Sequence, residues 1–147
     1  MIREYKQEDL DDLLSTWTAA SEIAHPFLTK EFLGKERENI AKVYLPNTQT
    51  WVCEEDGFVV GFVSLLGNEV GALFVHPKHH RKGIGRSLMD KVRALGGGQL
   101  FVEVFAANKM GRGFYSKYGF EPIEHKLHKQ TNLELIRLQL SAKRSLD

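Results

Sequence analysis

Hydrophobic residues change their spacing several times along this chain, and each change marks an element. Leu10, Leu13, Leu14 and Trp17 recur at i, i+3, i+4 and i+7, with Glu8, Asp9, Asp11 and Asp12 in the first turns, so an amphipathic helix follows a short edge strand at residues 2–5. His25-Pro26-Phe27-Leu28 interrupts the helical period. Thr29 can then cap a second helix carrying Phe32, Leu33, Ile40, Val43 and Tyr44, which Pro46 closes. From there the pattern is that of strands: residues 50–55 and 58–66 flank the turn Glu55-Asp56-Gly57, and Gly67-Asn68-Glu69 leads into residues 70–76. Three antiparallel strands in succession are expected.

The second half alternates the two periods. Ile84, Leu88, Met89, Val92 and Leu95 predict a helix that ends at Gly96-Gly97-Gly98, and residues 100–105 predict a strand. Residues 70–105 are thus a strand–helix–strand crossover, which makes a parallel pair. Asn108 can cap a further helix whose buried face is Gly111, Phe114, Tyr115 and Tyr118 and whose end is Gly119; residues 120–128 and 132–140 then form a closing hairpin. The fold class is α/β, one mixed central sheet in the order β-α-α-β-β-β-α-β-α-β-β. A single domain is expected over residues 1–140, with a polar, frayed tail over 141–147.

Composition narrows the partners. With 147 residues and 42% hydrophobic content one core suffices, and 20 Lys plus Arg against 19 Asp plus Glu leave a net charge of +1, too little for a global field toward nucleic acid. The longest apolar run, residues 58–66, is about half of the roughly 20 residues a membrane span needs. No signal peptide is evident at the N-terminus, so the expected location is cytoplasmic and no membrane partner is expected. Cys53, the one cysteine, sits in a strand pattern as a small buried hydrophobe. His76, His79, His80, His125 and His128 find no Cys or carboxylate to complete a ligand set, and His125 and His128 lie an odd number apart on a strand, so surface histidines and no metal are expected. Oligomeric state is open between monomer and homodimer.

The chemistry concentrates at His80-Arg81-Lys82-Gly83-Ile84-Gly85-Arg86-Ser87, between the apolar run Ala72-Leu73-Phe74-Val75 and the helix of Leu88. Such a turn points backbone N–H groups and the positive end of a helix at one spot, which suits a pyrophosphate. A dinucleotide fingerprint competes, since Gly83-x-Gly85 begins a G-x-G-x-x-G and Glu103 lies 20 residues on, but Leu88 stands at the third glycine and three antiparallel strands come first. A Walker loop has no match.

His80-Arg81-Lys82-Gly83-Ile84-Gly85 resembles the Q/R-x-x-G-x-G/A signature of the GNAT superfamily of N-acetyltransferases, with His80 in the Gln/Arg position. The segment Asn108-x-x-Gly111-x-x-Phe114-Tyr115-x-Lys117-x-Gly119-Phe120 is similar to the family's N-x-x-A-x-x-F-Y-x-K-x-G-F, with Gly111 for Ala. Ala24-His25-Pro26-Phe27-Leu28 is similar to the small bacterial YjaB-type branch. The resemblance implies two parallel strands that splay apart and take the pantetheine of acetyl-CoA into the gap. It implies main-chain partners at Phe74 and Val75, a pyrophosphate on amides from Lys82 to Ser87, charge from Arg81, Lys82 and Arg86, and a role for Asn108 as helix cap that also reaches the cofactor.

Acetyl transfer to an amine needs a neutral nitrogen, a stabilised oxyanion and a proton for the departing thiolate. The resemblance assigns the last task to Tyr115. The base stays open among Glu103, Glu69, His25 and water, with His25 and Glu103 also candidates for contact with the acceptor, a small-molecule or protein amine. The reading is an acetyl-CoA-dependent N-acetyltransferase working by direct attack in a ternary complex. A ping-pong route through Cys53 lacks a partner base. A non-catalytic acyl-CoA sensor, in which Tyr115 merely packs, is the alternative, and a nicotinamide-dependent oxidoreductase a more distant one.

Overall fold

The computed structural model describes residues 1–142, so the expectation for residues 143–147 lies outside them. The expected elements form in the expected order, with one further turn after the second helix: β1 (Ile2–Glu4), α1 (Leu10–Ala24), α2 (Lys30–Asn39), the added turn α3 (Leu45–Asn47), β2 (Gln49–Glu55), β3 (Phe58–Leu66), β4 (Glu69–Val75), α4 (Ile84–Leu95), β5 (Leu100–Phe105), α5 (Lys109–Tyr118), β6 (Glu121–His128) and β7 (Leu133–Leu140). Among the described residues, no helix is long and apolar enough to cross a membrane.

The seven strands lie in the order β1-β2-β3-β4-β5-β7-β6, so the last strand inserts between β5 and β6. Each neighbouring pair is antiparallel except β4 with β5. That parallel ladder has two rungs, Glu69 with Phe101 and Val70 with Val102. It stops because β4 carries a bulge: Leu65 faces Val70 and Ser64 faces Ala72, which leaves Gly71 as an extra residue and bends the strand. Beyond Gly71 the strand β4 follows β3, while Glu103, Val104 and Phe105 of β5 pair with Arg137, Ile136 and Leu135 of β7. A wedge opens between them. Its closed end is braced by Arg137, which reaches Glu69 on β4 at 2.9 and 3.1 Å and Glu103 on β5 at 3.4 Å, over the ring of Phe101.

The two faces of the sheet carry separate cores. Under α1 and α2, Leu13, Leu14, Trp17 and Ile40 pack on Val52, Val59 and Phe62, with Ala72 and Phe74 beside them. On the opposite face Ile84, Leu88, Met89 and Val92 of α4 meet Val63, Val70, Leu100, Val102 and Val104, and Tyr115 and Phe120 continue this core under α5. Cys53 lies in it, buried as expected, and burial pushes its thiol pKa up.

Two departures from the sequence expectation have physical causes. Pro46 does not close α2. Residues Ile40–Tyr44 widen into a π turn in which the Leu45 amide donates to Ile40 O, and Pro46 then sits in the first turn of α3, where its missing N–H costs nothing. The widening also rotates the helix face, so Ile40 is buried but Val43 and Tyr44 are 47% and 41% exposed. At the N-terminus, Asp9 lies in a 3₁₀ turn ahead of α1 rather than in its first turn, and it is buried. It accepts both Arg3 guanidinium nitrogens at 2.9 Å and the Lys6 amide at 2.8 Å, which holds its carboxyl below the usual range.

Candidate active site

The alternation of an antiparallel ladder decides which groups of β4 face the wedge. His76 N donates to Val60 O, and Phe62 stands opposite Phe74, so the main chain of Phe74 is turned to β3. The main-chain groups of Leu73 and Val75 therefore face the gap. Phe74 contributes its ring instead, stacked on Phe62 at 5.7 Å and set edge-on to Trp17 at 6.4 Å and His25 at 6.2 Å. The Val75 carbonyl is occupied: His80 Nε2 lies 2.9 Å from it. The residue that departs from the family pattern thus ties the glycine turn to the strand beside the gap.

The turn itself is built by two left-handed residues, Arg81 at φ 67° and Gly83 at φ 78°, which bring the chain round into α4. Ile84 anchors the helix start in the core. Gly85 leaves room for α5, since a Cβ there would lie 3.3 Å from the Phe114 ring and 3.8 Å from Val75. Among the described residues the six amides from Arg81 to Arg86 donate no hydrogen bond. A run of free N–H groups at a helix N-terminus is a receptor for a diphosphate. Ser87, expected to belong to it, does not: its amide closes the first turn of α4 on Gly83 O at 3.0 Å. The set of free amides begins one residue earlier and ends one residue earlier than expected.

The side-chain charges are less committed to this spot. Lys82 Nζ lies 3.2 Å from His79 Nδ1, and the Arg86 guanidinium stacks over the Tyr118 ring at 5.5 Å. Arg81 is exposed.

At the wide end of the wedge the α1–α2 loop meets α5. Asn108 caps α5, with Oδ1 accepting the Gly111 amide at 2.9 Å. Its amide nitrogen lies 3.4 Å from His25 Nε2. His25 stands edge-on to Phe27, Phe74 and Phe105 at 5.7, 6.2 and 5.5 Å, which places one imidazole between the rings of both splayed strands. Burial among these rings lowers its pKa to about 4, so it is neutral at pH 7. His128 continues the cluster against Phe105 and Phe32, a member that sequence spacing assigned only to the surface.

Glu103 and Glu69 are engaged in ion pairs: Glu103 with Lys126 at 2.8 Å and with Arg137, Glu69 with Arg137. Tyr115 is buried in the α4-side core between Phe114 and Phe120, each 5.4 Å away. Its hydroxyl has no hydrogen-bond partner among the described residues, and burial raises its pKa well above that of a free phenol. It remains protonated at any physiological pH. Among the described residues no group of three His, Cys, Asp or Glu side chains gathers to hold a metal.

Residues 46–122, which span the bulged strand, the glycine turn and α5, match the model of the acetyltransferase (GNAT) domain. This chain is a GNAT acetyltransferase. It is 35% identical over 134 residues, 90% of its length and 91% of the relative's, to the peptidyl-lysine N-acetyltransferase YiaC of Escherichia coli K12. With the peptidyl-lysine N-acetyltransferase YjaB of the same strain it shares 31% over 121 residues, 82% of this chain and 81% of that one. The solution structure of apo-form YjaB from Escherichia coli superposes with a TM-score of 0.84, 26% identity, and coverage of 95% of this chain and 96% of that one. The PaiA N-acetyltransferase of Thermoplasma acidophilum, solved in complex with coenzyme A, has the same fold at TM-score 0.77 and 18% identity, over 93% of this GNAT chain and 96% of its own.

Proposed function

We propose that this protein moves an acetyl group from acetyl-CoA to the side-chain amine of a lysine in another protein, by direct attack in a ternary complex, with the whole activity in residues 1–140. The observation that carries the reading is the run of free amides, Arg81 to Arg86, at the open end of an unpaired parallel edge. The diphosphate sits on those amides, with Lys82 and Arg81 adding charge. The pantetheine lies along the main chain of Leu73 and the N–H of Val75, the groups that β3 and His80 leave unused. Lysine as acceptor rests on the two curated relatives, both named for peptidyl-lysine.

In the reaction the neutral amine nitrogen attacks the thioester carbon, the carbonyl oxygen takes the negative charge, and the carbon–sulfur bond then breaks. Backbone N–H groups of β4 facing the gap stabilise the oxyanion. The departing thiolate takes its proton from Tyr115, which burial holds in the protonated form, and solvent then reprotonates the tyrosinate. The proton of the attacking ammonium leaves to water. Glu103 and Glu69 are held by Arg137 and Lys126 and serve the sheet rather than the nitrogen. Cys53 is buried with its thiol protonated, so no acyl-enzyme forms on it.

The test is calorimetry with acetyl-CoA together with CoA release on lysine-containing peptides. Binding with turnover is the expected result. Binding without turnover on any amine would make the chain an acyl-CoA sensor, and absence of binding would end the reading altogether.

A further inference from the structure

Gly111 stands where the family pattern has Ala, and the structure gives the difference a consequence. A Cβ at this position would lie 2.5 Å from Asn108 Nδ2. With glycine there, the Asn108 side chain folds against the first turn of α5. Its Oδ1 is committed to the Gly111 amide, so the nitrogen end necessarily faces His25. An amide nitrogen is a donor only. His25 Nε2 must then be the acceptor, which fixes the imidazole as the Nδ1–H tautomer and spends the lone pair that a general base would need.

We propose that the His25–Asn108 contact couples the acceptor-side loop to the cofactor-side helix, with His25 as a positioning residue for Asn108 and the start of α5 rather than the base. The link joins parts of the chain 83 residues apart and sits between the rings of β4 and β5, where thioester and amine must meet. It sets the α1–α2 loop, through His25 and Phe27, against the helix that carries Tyr115. The proposal rests on the acetyl-transfer reading above and adds to it the pairing that aligns its two halves.

Three substitutions test it. His25→Gln places an oxygen acceptor near the Nε2 position and cannot carry a proton; His25→Ala removes the acceptor; Gly111→Ala pushes the Asn108 amide aside while improving intrinsic helix propensity. The link predicts kcat within about threefold of wild type for His25→Gln and a loss of about tenfold for both His25→Ala and Gly111→Ala, the size of one hydrogen bond's worth of alignment. Acetyl-CoA affinity should stay within about twofold in both His25 variants, because the amides of Arg81 to Arg86 and the Asn108 cap are untouched. Imidazole ¹⁵N spectra give a readout independent of turnover: His25 should show the Nδ1–H tautomer in wild type and lose that preference in Gly111→Ala. If His25→Gln is as impaired as His25→Ala, His25 moves a proton and the proposal is overturned. Wild-type activity in Gly111→Ala, or an unchanged tautomer there, overturns it equally. A wild type that lacks turnover but shows the tautomer switch would fail the acetyl-transfer reading and leave the link standing.

Discussion

The two sides of the wedge are made from different material. On the α4 side the groups on offer are free main-chain amides, held by two left-handed residues and a helix start. On the α1–α2 side the surface is made of rings: His25, Phe27, Phe74 and Phe105 hold one another edge-on at 5.5–6.2 Å, with one hydrogen bond to Asn108. A main-chain site forgives changes of side chain and not of φ. A ring cluster forgives neither the loss of volume nor a new charge.

The strongest way to break this contrast is Gly83→Val. A β-branched residue cannot hold φ 78° without strain, so the turn must open and the amides must diverge. Acetyl-CoA binding by calorimetry should weaken by more than about 100-fold. Gly113→Val, at an exposed helix position where a Cβ meets nothing within 4 Å, should leave it unchanged. Next in size is Tyr115→Phe. The ring stays and the lost hydroxyl has no partner to miss, so folding is unaffected while kcat falls about 100-fold at constant acetyl-CoA affinity. Equal losses in kcat and affinity would show that Tyr115 only packs.

The same contrast explains what could be foreseen. Glycine spacing, the switch from period 2 to period 3.6 and the caps at Thr29 and Asn108 are local, and they carried the order of elements and the position of the glycine turn. What they could not carry was the phase of the ladder. Whether Phe74 or its neighbours offer main chain to the gap depends on the register against β3, and the end of the free amides depends on which one closes the first helical turn. The aromatic cluster was less legible still. His25 and Phe105 are 80 positions apart, and His128 reads as a surface residue until β7 inserts beside β5 and carries β6 and the hairpin to the mouth. Gly111 stands out in the sequence as a departure from Ala, but its reason is a side-chain clash visible only in three dimensions.

The ring side should also reveal itself through pH. His25 has a native pKa near 4 against an ordinary 6.5, so between these values the unfolded chain holds a proton that the native state refuses. Stability is therefore complete above about pH 6.5 and is lost as pH falls toward 4, by about 2–3 kcal/mol in total. His76, also lowered, acts in the same direction and more weakly. Asp9 adds its loss only below the ordinary carboxylate range. Urea unfolding at pH 7 and pH 5 should show the difference, and His25→Gln should remove most of it. A variant as pH-sensitive as wild type would place the titration elsewhere.

A smaller effect is expected at the closed end of the wedge. Arg137→Met keeps much of the stem over Phe101 and abandons Glu69 and Glu103, both partly exposed and able to turn to water. The cost in stability should be about 1 kcal/mol, read as a shift in the urea midpoint, and activity should follow only as far as the wedge angle changes.

The smallest effect is the sharpest test of the contrast. Arg86 lies in the glycine turn and is the residue a charge-based account would choose first, yet its guanidinium is stacked on Tyr118 at 5.5 Å. If amides hold the diphosphate, Arg86→Ala removes a neighbour of the site and leaves the receptor intact. Acetyl-CoA affinity should then change by about twofold or less, since an exposed charge contributes little once its field is screened by salt. The salt dependence of binding should be almost unaltered as well. A loss as large as that of Gly83→Val would mean that the stacked guanidinium swings off Tyr118 when the cofactor enters, and the α4 wall would then be, like the opposite one, a site made of side chains.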